Sequence, residues 1–274
     1  MVWKALNFHI RIPGEFFDAA AEVCPPPENS RPAQKPKTIT VKFFHGSYSR
    51  SKMSFTENTL IRSCRSATLV AIPPALDFLC FLEKEHHPPL VLSSLLLKLV
   101  KLIGLRFDTV LLHAACVVEN GRAILIPGKE GRGKTTLSRN LPGVAVVNDD
   151  LSLVLLDPAS GRFCAYRVPD PENLDGKTPF AWEGPWPLST IVFPRRERPR
   201  GIYRLTPQEA FTHGTEEGPA FLDADGFLEF HSAHKLYNRF MKRLFGGTAC
   251  VSVSYRPGED SDLLARLLEG EEYR

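Results

Sequence analysis

LLHAACVVENGRAILIPGKEGRGKTTLSRNLPGVAVVNDD, Leu111 to Asp150, holds a histidine, a glycine-rich loop with a lysine, and two adjacent aspartates. VLLHAACVV (Val110–Val118) reads as a strand, and Asn120–Gly121 supplies the favoured two-residue hairpin turn. RAILIP is then the returning strand, and it runs straight into Gly128. Counting back from the turn pairs Glu119 with Arg122, Val118 with Ala123 and Val117 with Ile124. The same ladder sets Ala115 opposite Ile126 and His113 opposite Gly128. The spacing therefore predicts His113 at the mouth of the glycine loop, provided no bulge breaks the register.

Gly128–Thr135, GKEGRGKT, satisfies G-x-x-x-x-G-K-[ST], with a strand before it and a helix after it. The helix, TTLSRNL, has room for about two turns before Pro142 and Gly143 stop it. Glycines in such a loop let successive backbone N–H groups converge on an anion, and the helix start adds partial positive charge. On this reading Gly128, Lys129, Glu130, Gly131, Arg132, Gly133, Lys134, Thr135 and Thr136 form a nucleotide-binding stretch. Lys134 bridges the outer phosphates, and Thr135 offers its hydroxyl to a divalent metal, Mg²⁺ or Mn²⁺. A flexible glycine turn with solvated charges is the alternative.

VAVVN reads as a buried strand that delivers Asp149 and Asp150 to the sheet edge beside the loop. Two adjacent acids there can divide the work: one holds the metal, the other takes a proton from an attacking hydroxyl. A solvated Asp-Asp turn is the alternative. His113, taken alone, reads as a core histidine. Opposite Gly128 it can instead ligate the metal as neutral imidazole or contact the transferred phosphoryl group.

Outward from this stretch, ITVKFF (Ile39–Phe44), ATLVAI (Ala67–Ile72), SLVLLD (Ser152–Asp157), STIVFP (Ser189–Pro194) and CVSVSY near the end read as strands. ALDFLCFLEKE (Ala75–Glu85) and Leu90–Leu105 have helical spacing, and DSDLLARLLEG is an amphipathic helix. LTPQEAF (Leu205–Phe211) is a helix start, with Thr206 as N-cap, Pro207 first and Glu209 closing a capping box. CPPPENSRPAQKPK (Cys24–Lys37) is an exposed loop or linker, and His86–His87 before two prolines is a loop without metal-ligand spacing. FPRRERPR places Arg195, Arg196, Arg198 and Arg200 in a proline-flanked loop. It reads as solvated, with a phosphate or acidic-peptide contact as the sharper alternative.

A chain of 274 residues with 43% hydrophobic and 24% charged residues is of ordinary globular composition. A net charge of +3 without a clustered basic face does not point to nucleic acid. Six scattered cysteines with no C-x-x-C pair fit a reducing cytoplasm better than a disulfide framework or a zinc site. The N-terminus has no signal-peptide pattern. Leu90–Leu105, short and carrying Lys98 and Lys101, is a buried helix rather than a membrane span. Oligomerisation is compatible with this composition.

LLHAACVVENGRAILIPGKEGRGKTTL followed by NDD resembles the catalytic core of the HPr kinase/phosphorylase family, and is similar to the wider group that contains phosphoenolpyruvate carboxykinase. The resemblance implies an α/β fold: a phosphoenolpyruvate-carboxykinase-like P-loop core with a mixed sheet, over residues 110–274, plus a smaller N-terminal α+β region, residues 1–109. In that region Ile39–Phe44 and Ala67–Ile72 read as a small sheet for acceptor recognition, with padding of the nucleotide core as the alternative. It implies that Gly128, Gly131, Gly133, Lys134, Thr135 and Thr136 bind triphosphate and metal. It makes Asp149 the general base, puts Asp150 near the metal, and matches His113 to a metal ligand of the carboxykinases. The carboxykinase substrate-binding region and the HPr-kinase signature tied to phosphorolysis have no counterpart here. What remains is similar to the shorter HPr-kinase-like proteins, some of which phosphorylate serine on ribosomally made precursor peptides.

The expectation is therefore an ATP- and metal-dependent kinase acting on a serine of a peptide or small protein, with Asp149, Lys134 and His113 in catalysis. Two alternatives stay open. One is the same chemistry on a small-molecule hydroxyl. The other is a nucleotide-dependent switch with little turnover, which would need no second substrate.

Overall fold

The computed structural model describes residues 2–5, 8–11, 38–45, 60–64, 67–71, 77–82, 88–168, 183–195, 199–217 and 230–269. The proline-rich stretch Cys24–Lys37 and His86–His87 lie outside them. The described residues form two compact units, each built on a mixed sheet.

The first unit holds six strands: β1 (Val2–Ala5), β2 (Phe8–Arg11), β3 (Thr38–His45), β4 (Leu60–Cys64), β5 (Ala67–Ala71) and β6 (Asp77–Leu82). Their order is β1-β2-β3-β6-β5-β4. Here β6 corrects the sequence reading, which expected a helix over Ala75–Glu85. DFLCFL is apolar at nearly every position, so both periods fit it. Pairing decides: β6 runs parallel to β3 and antiparallel to β5, and Phe78, Cys80 and Leu82 are buried while Leu79 and Phe81 are half-buried, a period of two. The helix expected next does form, as α1 (Pro88–Ile103), closed by a 3₁₀ turn over Gly104–Phe107. It is buried at Val91–Leu96, Leu99, Val100, Leu102 and Ile103, with Lys98 and Lys101 half-exposed. No helix among the described residues is long and apolar enough to cross a membrane.

The second unit starts with β7 (Thr109–Glu119), of which it holds Val110 onward, and β8 (Arg122–Pro127). Asn120 and Gly121 both have positive φ, 48° and 73°, which makes their turn type I′ and matches the twist of the strands. The register is the one expected, from Glu119↔Arg122 through Val117↔Ile124 to Ala114↔Pro127. Beyond the glycine loop come α2 (Lys134–Asn140), β9 (Ala145–Asn148), β10 (Leu151–Leu156) and β11 (Phe163–Arg167). The unit is completed by β12 (Trp186–Pro194), β13 (Gly201–Arg204), α3 (Pro207–Glu217), α4 (Phe230–Gly247) from Tyr237 on, β14 (Ala249–Ser254) and α5 (Ser261–Glu269). The strand order is β11-β10-β7-β8-β12-β14-β13, with β9 beside β7. Strand β12 is parallel to both β8 and β14, so these three end at the same edge as the glycine loop. β11 also pairs with the start of β12, which closes the pairings of β11-β10-β7-β8-β12 into a ring.

Alternation along these strands builds the core. Ala115, Val117, Ile124, Ile126, Val192, Val251 and Val253 meet Leu137 and Leu141 of the α2 region and Leu264 and Leu267 of α5. Each such leucine contributes roughly 1.5–3 kcal/mol by leaving water. Elsewhere Phe193 packs on Phe245 and His213, and Phe163 lies edge-on to Phe240. The capping box is made: Thr206 N–H and Oγ1–H both donate to Glu209 Oε2, at 2.8 Å.

β9 differs from expectation. Ala145 and Val146 are exposed and only Asn148 is buried. It pairs with β7 through a register shift and lies off the main path of the sheet, which leaves its outer face to solvent.

Gly121 has open space where a Cβ would sit, so a side chain there meets only the left-handed backbone penalty. Gly121→Val should lower unfolding stability by about 1–2 kcal/mol and Gly121→Asn by distinctly less. Urea titration of both variants checks the order; equal losses would mean that the turn does not set the hairpin.

Candidate functional site

The loop between β8 and α2 begins at Gly128, a buried residue whose N–H donates to the His113 carbonyl at 3.3 Å. A Cβ on Gly128 would lie 3.3 Å from Lys134 Cγ and from Arg132 Cβ, so glycine leaves the path along which the lysine folds back. Gly131 and Gly133 have φ of 75° and 91°, conformations that an L side chain resists. Arg132 N–H closes the turn on Lys129 O at 3.2 Å. Alternation of this kind turns backbone N–H groups toward one side and makes a concavity suited to an oxyanion. Lys129, Glu130, Arg132 and Thr136 are exposed around it, and Thr135 is half-buried.

Lys134 is 5% exposed, and a buried ammonium requires partners. Its Nζ has His113 Nε2 at 2.9 Å, Lys129 O at 3.3 Å and Asp150 Oδ1 at 3.3 Å, one for each of its three donors. Asp150 Oδ1 also lies 2.5 Å from His113 Nε2. A single ring nitrogen can donate to the carboxylate or accept from the ammonium, and not both, so the tautomer of His113 decides which of the two contacts is a hydrogen bond. Asp150 is itself 69% exposed, so its ion pair with Lys134 is water-screened and easily exchanged. A phosphate oxygen entering the loop can take over the lysine and leave the carboxylate and imidazole facing the incoming group.

The aspartates are fixed through the backbone. Ala114 N–H donates to Asp150 O at 2.9 Å, and Ser152 Oγ donates to Ala114 O at 2.8 Å. Asn148 holds the other side of the turn: its Nδ2 donates to Tyr166 O and its Oδ1 accepts from Val168 N–H. The sequence reading passed over Ser152 and Asn148, although a polar residue on each side of an Asp-Asp pair between apolar strands was the available signal. It expected the two adjacent acids to take different roles, and their side chains have different partners. Asp150 Oδ1 lies near Lys134 and His113, while Asp149 Oδ2 accepts from Arg139 Nη2 at 3.0 Å, and both side chains are well exposed.

No group of three or more His, Cys, Asp or Glu side chains gathers as a metal-ligand set among the described residues. His113 and Asp150 are two donors to a divalent cation such as Mn²⁺ that arrives on phosphate oxygens, which supply the remaining ligands. Cysteine chemistry is not served here: burial pushes the thiols of Cys116 and Cys250 up to about 12 and that of Cys164 up to about 11. Of the basic run, Arg196 and Arg198 lie outside the described residues. Arg200 is exposed, and its guanidinium also grips Asp260 through two bonds.

No protein-family model and no curated protein matches the chain. Among solved structures it is similar to the Hpr(Ser) kinase/phosphatase from Coxiella burnetii, at 14% sequence identity, covering 58% of this chain and 94% of that one, with a TM-score of 0.28. A likeness at that level carries no inference about chemistry.

Proposed function

We propose that this chain is a divalent-metal-dependent kinase that moves the γ-phosphoryl group of ATP to a serine hydroxyl on a peptide or small protein. The observation that supports it is the meeting of Lys134 Nζ with His113 Nε2 and Asp150 Oδ1 beside Gly128–Thr135. The loop N–H groups and Lys134 hold the β- and γ-phosphates, while Asp150, His113 and Thr135 hold the metal that the triphosphate brings. Asp149, displaced from Lys134 and half-exposed, is the base. The serine oxygen bonds to the γ-phosphorus as the bond to the β-phosphate oxygen breaks; Asp149 takes the hydroxyl proton and ADP leaves. Positioning and charge neutralisation do most of the work in such a transfer. The serine and peptide assignment draws on the sequence resemblance alone.

The test is transfer from γ-labelled ATP, with Mg²⁺ or Mn²⁺, in extract of the source cells resolved into protein, peptide and small-molecule fractions. Label in a peptide or protein, absent with Asp149→Asn, supports the reading and identifies the acceptor. Label confined to small metabolites overturns the acceptor class. Free phosphate alone, unchanged by Asp149→Asn, removes the base and leaves a nucleotide-dependent switch.

Two variants separate the roles. Asp149→Asn should lower transfer by about 10²- to 10⁴-fold with triphosphate affinity kept, as loss of a general base does. Its exposed pair with Arg139 is worth at most ~1 kcal/mol, so thermal unfolding should scarcely move. Asp150→Asn should instead raise the metal concentration needed for half-maximal rate. If the two variants behave alike in a metal titration, the division of labour is wrong.

A further inference from the structure

Arg139 stands in the last turn of α2, four residues after Thr135, so the two share one flank of the helix. From that flank the guanidinium meets the proposed base by a single contact, Nη2 to Asp149 Oδ2 at 3.0 Å, and it is 66% exposed. A guanidinium carries its N–H donors in a rigid fork, so a one-point contact at the surface leaves it able to grip a second anion. The pair is also water-screened, and the fork can turn at small cost. Because Arg139 takes Oδ2, Oδ1 is the oxygen that can receive the hydroxyl proton.

The same side of the sheet is open along β9. Val146 is in register with Val117, so their side chains share one face, and Val117 packs there with Leu137 and Leu141. Val146 is nonetheless exposed, three residues before the base. An acceptor segment that passes over Val146 reaches Asp149 with Arg139 alongside.

We propose that the acceptor carries an acidic side chain two residues from its serine, and that Arg139 reads it. This rests on the kinase reading with Asp149 as base. The serine oxygen has to lie about 3 Å from the carboxylate that takes its proton. Arg139 lies 3.0 Å from the same carboxylate, on its other oxygen. In an extended segment, residues two apart project from one face about 7 Å from each other, and the residue between them points away. That spacing spans the distance from a hydroxyl on Asp149, across the carboxylate, to the guanidinium. A carboxylate there completes a charge-assisted fork, whereas a lysine meets like charge.

The test is transfer from γ-labelled ATP, with Mg²⁺, to synthetic peptides that hold one serine in an alanine-glycine background. Each position from two before the serine to two after it is made Asp, Lys or Ala in turn. Wild type, Arg139→Gln and Arg139→Glu are each scored across the set, so a rate loss common to all peptides cancels. Wild type should favour Asp over Ala by about threefold or more at a position two residues from the serine, and disfavour Lys there. Arg139→Gln should bring Asp and Ala within about 1.5-fold, and Arg139→Glu should favour Lys over Asp. A merely structural role for Arg139 gives no such reversal. No acidic preference at that spacing, or one that Arg139→Gln and Arg139→Glu both keep, overturns the inference while the kinase reading stands. Transfer to none of the peptides overturns the peptide-serine reading and this inference with it.

Discussion

Two backbone hydrogen bonds on adjacent residues of β7 organise everything chemical in this chain. The His113 carbonyl accepts from Gly128, at the start of the glycine loop, and the Ala114 N–H donates to the carbonyl of Asp150. A strand offers its hydrogen-bonding groups alternately to its two sides, so neighbouring residues can tie down two different neighbours. One strand thus sets the loop on one side, the acidic turn on the other, and the histidine side chain at the junction. Slippage of one residue would send His113 to the opposite face and separate the lysine from its partners. The type I′ turn at Asn120–Gly121 fixes that register from the far end of the hairpin.

This frame explains why a lysine can be buried in an otherwise polar corner. Lys134 has lost nearly all its water and recovers three partners, of which only Lys129 O is a fixed backbone group. The other two, an imidazole and a largely exposed carboxylate, can be given up when a stronger anion arrives. The ammonium is therefore held in place without being committed, the condition under which a preorganised charge assists phosphoryl transfer.

Much of this was legible in the sequence because its determinants are local. Asn120–Gly121 announced the turn, counting from it gave the pairs down to Ala114↔Pro127, and Thr206 with Glu209 announced a helix start. What misled was either degenerate or remote. DFLCFL is so uniformly apolar that its period could be read two ways, and only β3 and β5 on either side make it a strand. VAVVN looked buried because its residues are apolar, but burial depends on a second layer, and Val146 has none. The parting of Asp149 from Asp150 follows from Arg139 and Lys134, which stand five residues apart on α2 and draw the two carboxylates in different directions. The partner of the exposed Arg200 was not legible either, because Asp260, the acid that holds it, is sixty positions away in the chain.

The central claim is that the glycine loop, Lys134, His113 and Asp150 form one site for a metal-bound triphosphate. A crystal structure of the chain grown with Mn²⁺ and a non-hydrolysable triphosphate tests it most directly, since the anomalous signal of Mn²⁺ locates the metal independently. The account predicts phosphate oxygens in the concavity between Gly131 and Gly133. It predicts Lys134 Nζ moved off Asp150 onto the β- and γ-phosphates, and manganese within bonding distance of Asp150 or His113. A triphosphate bound elsewhere, or manganese with neither residue in its coordination sphere, would contradict it.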